Sequence, residues 1–271
     1  MKIGIFDSGY GGLTILEKIR ERLPQYDYIY LGDNARTPYG TRSFEVVYDY
    51  TWQCVKKLFE MDCQLVILAC NTASAKALRS IQQNELLKYY PNRRVLGVIR
   101  PTAESINTLT KSRVVGLVAT DGTVQSNSYV LEIGKLANDI KLYSQACPMW
   151  VPLIENNEHT DIGADFFVKK YLDELMAKNS AIDTLILGCT HYPLLLDKIT
   201  QNLPSKIQVL TQGAIVAESL ADYLKRHPEQ ETQCSKEASI RFLTTESVEK
   251  FQSSASIFLK EKIEAERVSL D

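Results

Sequence analysis

Short runs that are apolar at nearly every position alternate with longer stretches in which apolar residues recur every three to four positions. The first pattern belongs to strands buried on both faces and the second to amphipathic helices. Lys2 to Phe6 reads as a strand, Leu13 to Leu23 as a helix, Asp27 to Leu31 as a strand and Ser43 to Met61 as a long helix. The run from Gln64 to Ala69 closes on Cys70-Asn71-Thr72, after which Ala73, Ala75, Ala77, Leu78 and Ile81 keep helical spacing. Arg94 to Ile99 makes a further strand, and near Arg100-Pro101 the pattern restarts. Val114 to Thr123 lies on Lys2 to Gly11, with Gly116 over Gly4 and Thr120 over Ser8. Asp139 to Gln145 is strand-like, and the run Asp183 to Gly188 closes on Cys189 as the earlier run closes on Cys70. Ile207 to Leu210, the helix Ala214 to Arg226, the strand Ile240 to Thr244 and the helix Ser247 to Lys262 follow, with His227 to Glu237 expected as a loop.

Strands alternating with helices predict an α/β fold with parallel sheets. Two copies of one α/β unit explain both internal correspondences, and a pseudo-two-fold axis would turn their strand ends toward each other. At 271 residues the chain is long enough for two cores. The last elements are too few to hold a core alone and are expected to complete the first sheet.

Composition narrows the class without naming it. A hydrophobic content of 45%, a charged content of 24% and a net charge of -2 describe an ordinary soluble protein and suggest neither nucleic acid nor an anionic membrane surface as a partner. No apolar run approaches the ~20 residues that span a bilayer, and Met1-Lys2 leads straight into a strand, so a cytoplasmic location is expected. Six cysteines without a C-x-x-C pair resemble neither a disulfide framework nor a zinc site. Reduced thiols and no bound metal are the expectation.

Cys70 and Cys189 each end a buried strand beside a helix start, where α/β folds bind ligands and where helix N–H groups lower a thiol's pKa. Other candidates have two readings each. Asp7 and Ser8, in the Gly-rich turn Asp7 to Gly12, are site residues or helix caps. The loop Gly32 to Gly40 is a substrate loop or a plain turn. Glu155, behind an apolar Pro-rich run, is a pocket carboxylate or a helix-start Glu. Cys54, Cys63, Cys147 and Cys234 read as small buried hydrophobes. His191 is a possible partner for Cys189 and Asp7 for Cys70. A hydrolase dyad is possible only at Cys189 and leaves Cys70 idle. Two opposed acid/base groups can remove a proton from one face of a carbon and return one to the other.

Five motifs in order carry a resemblance: Asp7-Ser8-Gly9 with Gly11-Gly12-Leu13, Pro38-Tyr39-Gly40, Cys70-Asn71-Thr72-Ala73, Pro152-Leu153-Ile154-Glu155, and Gly188-Cys189-Thr190-His191-Tyr192-Pro193. From Lys2 to about Thr245 the chain resembles the glutamate racemases of the cofactor-independent aspartate/glutamate racemase superfamily. The resemblance implies two flavodoxin-like (Rossmann-like) three-layer domains related by pseudo-two-fold symmetry. Residues 1–98 and 212–271 would form the first, 99–211 the second inserted into it, with L- or D-glutamate in the cleft. It implies that Cys70 and Cys189 are the catalytic bases, assisted by Asp7 on one side and by Glu155 and His191 on the other. Asp7, Ser8, Tyr39, Gly40, Asn71, Thr72, Thr123, Thr190 and His191 match substrate-binding positions. It further implies no cofactor, a homodimer as a possible assembly, and D-glutamate made for peptidoglycan in a bacterial cytoplasm. Gln212 stands where many relatives have Asp, and Tyr10 is bulkier than the usual small aliphatic residue. The alternatives are a racemase of aspartate or another acidic amino acid, and a non-catalytic α/β protein that binds one.

Overall fold

The computed structural model describes residues 1–259 and 261–270. Strands β1 (Lys2–Asp7), β2 (Tyr28–Gly32), β3 (Cys63–Leu68) and β4 (Arg94–Gly97) come first in the chain. They are followed by β5 (Val114–Ala119), β6 (Lys141–Ala146), β7 (Thr184–Gly188) and β8 (Gln208–Leu210), and then by β9 (Ile240–Thr244) and β10 (Ala265–Arg267). Two sheets result, in the orders β10-β9-β2-β1-β3-β4 and β6-β5-β7-β8. Every pairing in both is parallel. The orders β2-β1-β3-β4 and β6-β5-β7-β8 coincide, as the internal repeat predicts.

Parallel sheets need cover on both faces, and the apolar runs supply it. Ile3, Ile5 and Phe6 of β1 and Leu185 and Ile186 of β7 have no solvent exposure, each worth about 1.5–3 kcal/mol relative to an exposed side chain. The helix Val248–Leu259 packs beside β1's outgoing turn, where Tyr10 stacks on Phe251 at 5.8 Å and on Phe258 at 6.1 Å. The bulk of Tyr10 is thereby absorbed by two phenylalanines of the C-terminal helix. That helix was expected from Ser247 to Lys262; Lys260 lies outside the described residues.

Three local expectations are corrected. Arg94 to Ile99 is strand only to Gly97, and Ile99 already opens the helix Ile99–Leu109. Pro101 is its third residue, in the first turn, where a missing N–H forfeits no intrahelical bond. His227 to Glu237 contains a helical turn, Pro228–Glu231, held by the Tyr26 hydroxyl donating to Glu231 at 2.8 Å. Finally, β10 was not foreseen.

Candidate active site

Each sheet reverses its strand order at its first strand, between β1 and β3 and between β5 and β7. Ligands of doubly wound folds sit outside the carboxyl ends of strands at such points. Register fixes what stands there. Phe6 pairs with Leu68, so two steps on Ser8 comes beside Cys70; Ala119 pairs with Gly188, so one step on Thr120 comes beside Cys189. Both ends open into one cavity of about 90 Å³, lined by Ser8 and by residues 37–41, 70–72, 120–121, 147–148, 151–152 and 189–191. That is small beside the ~300–1,000 Å³ of drug-sized ligand clefts and suits an amino-acid-sized guest. No Lys or Arg lines it among the described residues.

Cys70 caps the helix Asn71–Lys76, its Sγ accepting the Ala73 N–H at 3.4 Å and lying 3.3 Å from Ser8 Oγ. The sequence predicted a thiol acidified by the helix start, and the opposite holds. Burial, reinforced by the nearby Asp7 carboxylate, pushes Cys70 up to about 12 against the contrary pull of Ser8 and the Ala73 N–H. A single short helix cannot replace the water that a thiolate loses. Cys70 therefore rests as a protonated acid at neutral pH.

Cys189 has a different neighbour. The turn after β7 places His191 Nδ1 3.8 Å from Cys189 Sγ, and His191 Nε2 lies 3.0 Å from Glu155 Oε1. Burial disfavours the charged ring, but the contacts with Cys189 and Glu155 outweigh it and lift His191 to about 10. An imidazolium at that place is the neighbour a thiolate needs. Glu155 is the last residue of the helix Trp150–Glu155 and not a helix-start residue. Trp150, fully buried, packs edge-on to Tyr192 at 4.7 Å, a contact worth about 0.5–1.5 kcal/mol beyond its area that joins the Glu155 helix to the His191 turn. The turn after Cys189 continues as a 3-10 helix, Tyr192–Leu195, so no α-helix N-terminus faces this thiol directly.

The remaining sequence candidates divide into wall and support. Ser8, Tyr39, Gly40, Asn71, Thr72, Thr190 and His191 line the cavity. Asp7 does not: it is 1% exposed, one layer behind Ser8, with Oδ2 accepting the Gly9 N–H at 2.9 Å and Oδ1 unpartnered. Burial raises its carboxyl above the usual range, partly offset by His191. Glu155 likewise stands behind His191. Thr123 sits behind Thr120, which takes the wall position, and the Oγ atoms of Thr72, Thr120 and Thr123 form a cluster at 2.9–3.3 Å. Two side chains of the wall are committed elsewhere. The Tyr39 hydroxyl donates to Asp33, and the Asn71 amide is bonded on both ends, to Gln212 and Tyr129. Tyr39 and Asn71 thus offer the cavity backbone, and the N–H groups of Asn71 and Thr72, first in their helix, have no intrahelical carbonyl to serve. Unpaired N–H groups at a helix start are a setting that can bind a carboxylate without a lysine or arginine.

The sequence profile of the Asp/Glu/Hydantoin racemase family matches residues 10–220. This chain belongs to that family. It is 40% identical to a curated glutamate racemase of Roseobacter denitrificans over 274 aligned residues, covering 97% of this chain and 98% of that one. Among solved structures, a glutamate racemase isoform of Bacillus anthracis superposes with a TM-score of 0.90 at 34% identity, covering 99% of this chain and 97% of the other. A glutamate racemase of Francisella tularensis in complex with D-glutamate gives 0.88 at 34% identity, covering 100% and 98%.

Racemase-family geometry explains the glycines of the first turn. A Cβ on Gly11 would lie 2.3 Å from Thr190 Oγ1 and 2.4 Å from His191 Nδ1, so backbone of one half must touch side chains of the other. Gly11→Ala is expected to cost about a hundredfold in kcat/KM by displacing His191, while circular dichroism still reports a folded protein; near wild-type kinetics would contradict this contact. The sequence assigned no site role to Thr120, Asp33 or Gln212, although Thr120 aligns with Ser8, Asp33 lies in the candidate loop Gly32 to Gly40 and Gln212 stands out as a departure from relatives. Cys147, read as a small hydrophobe, does line the wall, and burial pushes its thiol well above the ordinary value.

Proposed function

We propose that the chain interconverts L- and D-glutamate by proton transfer between two thiols, supplying D-glutamate for peptidoglycan in a bacterial cytoplasm. The observation that carries this reading is one amino-acid-sized cavity with a cysteine from each sheet in its wall, Cys70 beside Ser8 and Cys189 beside His191. L-glutamate enters with its carboxylates on the free N–H groups of Asn71 and Thr72 and on the hydroxyls of Ser8, Thr72 and Thr190. Cys189, held beside the His191 imidazolium, takes the Cα proton: the C–H bond breaks, an S–H bond forms, and the electron pair passes into the α-carboxylate. The protonated Cys70 delivers its proton to the opposite face, giving D-glutamate and a Cys70 thiolate. The reverse direction exchanges the roles. Asp7 supports the Cys70 side, and Glu155 orients the His191 ring. We assign residues 1–98 with 212–271 to one domain and 99–211 to a second inserted in it, and we take a homodimer as its assembly. Among the described residues no helix is long and apolar enough to cross a membrane.

The test is direct. Purified protein given L-glutamate with no cofactor is expected to bring its optical rotation to zero, and kcat/KM for glutamate should exceed that for aspartate by about a hundredfold or more. A wall set for the longer acid leaves buried polar groups unpaired around the shorter one. No loss of rotation defeats the reading, and equal rates point to an aspartate racemase.

A further inference from the structure

Behind the Cys70 helix lies a closed hydrogen-bond ring that no part of the catalytic reading uses. Asn71 Nδ2 donates to Gln212 Oε1 at 2.6 Å, Gln212 Nε2 donates to the Tyr129 hydroxyl at 2.8 Å, and that hydroxyl donates to Asn71 Oδ1 at 2.7 Å. The second hydrogen of Gln212 Nε2 goes to Thr102 Oγ1 at 2.8 Å, with the Val98 carbonyl at 3.4 Å. All of Asn71, Thr102, Tyr129 and Gln212 are buried, at 3% exposure or less. The ring satisfies both amide oxygens, the Tyr129 hydroxyl and both hydrogens of Gln212 Nε2, and its bonds reinforce one another.

Its members sit where the two halves join. Val98 and Gln212 stand in the two chain passages between the sheets, after β4 and after β8; Tyr129 and Thr102 belong to helices Ser128–Leu136 and Ile99–Leu109, between the two passages, and Asn71 follows Cys70 directly. We infer that Gln212 is a positioning residue: through Asn71 it sets the first turn of the Cys70 helix, and with it the place of the Cys70 thiol and of the two free N–H groups beside it. Neither Gln212 nor Tyr129 lines the cavity, so neither touches substrate. The consequence for catalysis rests on the racemase reading; the consequence for Cys70 does not.

Two variants and two readouts test it. Gln212→Leu keeps most of the volume and removes every bond, and Tyr129→Phe removes only the hydroxyl. Each is expected to lower glutamate kcat/KM by roughly ten- to a hundredfold, and the double variant by no more than the worse single one, because one ring is broken in all three. Independently of turnover, mass spectrometry of iodoacetamide-treated protein should find the Cys70 alkylation rate changed severalfold and that of Cys189 unchanged. A merely structural role would shift the melting temperature and leave that ratio alone. Wild-type kinetics with an unaltered Cys70-to-Cys189 ratio in folded Tyr129→Phe overturns the inference, as does an equal change at both thiols. If Gln212→Leu does not fold, Tyr129→Phe decides alone. Should the wild-type protein fail to turn over glutamate, the racemase reading falls and the alkylation ratio still judges Gln212.

Discussion

Alanine in place of either Cys70 or Cys189 lowers racemisation by about 10³-fold or more, in both directions. Each thiol is the base in one direction and the proton donor in the other, so losing one stops both. Their unlike settings make the requirement strict. Burial holds the proton on Cys70, so it is a poor base until substrate has been turned over. His191 is 3.8 Å from Cys189 but, as an imidazolium, has no lone pair to take a proton. Cys147 is the control. It lines the same wall, yet its Sγ points to the Gln145 carbonyl at 3.7 Å and its thiol keeps its proton. Cys147→Ala is therefore expected to retain most of the activity. A Cys70 or Cys189 variant that keeps more than about a tenth of wild-type kcat/KM defeats the two-thiol assignment.

Activity is expected to fall on the alkaline side near pH 10, where His191 loses its proton. Burial alone would lower this ring; Cys189 and Glu155 together lift it from 6.5 to about 10. The folded state thus binds a proton more tightly than the unfolded one. The stability this contributes is full below pH 6.5 and is lost as the pH rises through about 10. His191→Gln removes the charge at every pH. The variant should lose the alkaline limb and most of its activity together, and its melting temperature should change less between about pH 6 and pH 10 than that of the wild type. A wild-type profile flat through pH 10, or a variant with the same alkaline limb, contradicts the imidazolium.

Strands and their order were open to reading because parallel strands buried on both faces leave unbroken apolar runs, as at Leu65–Leu68 and Leu185–Leu187. The repeat was legible because Ser8 and Thr120, and Cys70 and Cys189, fill the same places in two sheets of the same order. β10 left no such mark: Ala265-Glu266-Arg267 is a polar edge strand with only β9 beside it. Thiol acidity was misread at Cys70 because a strand end and a helix start are visible in sequence, whereas the depth at which they are buried is not. The Asn71–Gln212–Tyr129 ring had no signature at all. Its members are far apart in the chain, and a hydrogen bond between distant side chains has no period. The same holds for Asp33, whose carboxylate gathers Arg36, Tyr39 and Thr245 and so holds the loop that walls the cavity.

The most direct measurement is the fate of the Cα hydrogen in deuterated water. Two thiols on opposite faces predict that D-glutamate formed from L-glutamate carries deuterium at Cα from the first turnovers, while recovered L-glutamate stays largely protonated. The proton removed by Cys189 remains on that side, and the deuteron on Cys70 comes from solvent. D-glutamate that retains the substrate's own hydrogen, or L-glutamate that exchanges as fast as it inverts, would mean that a single group works both faces.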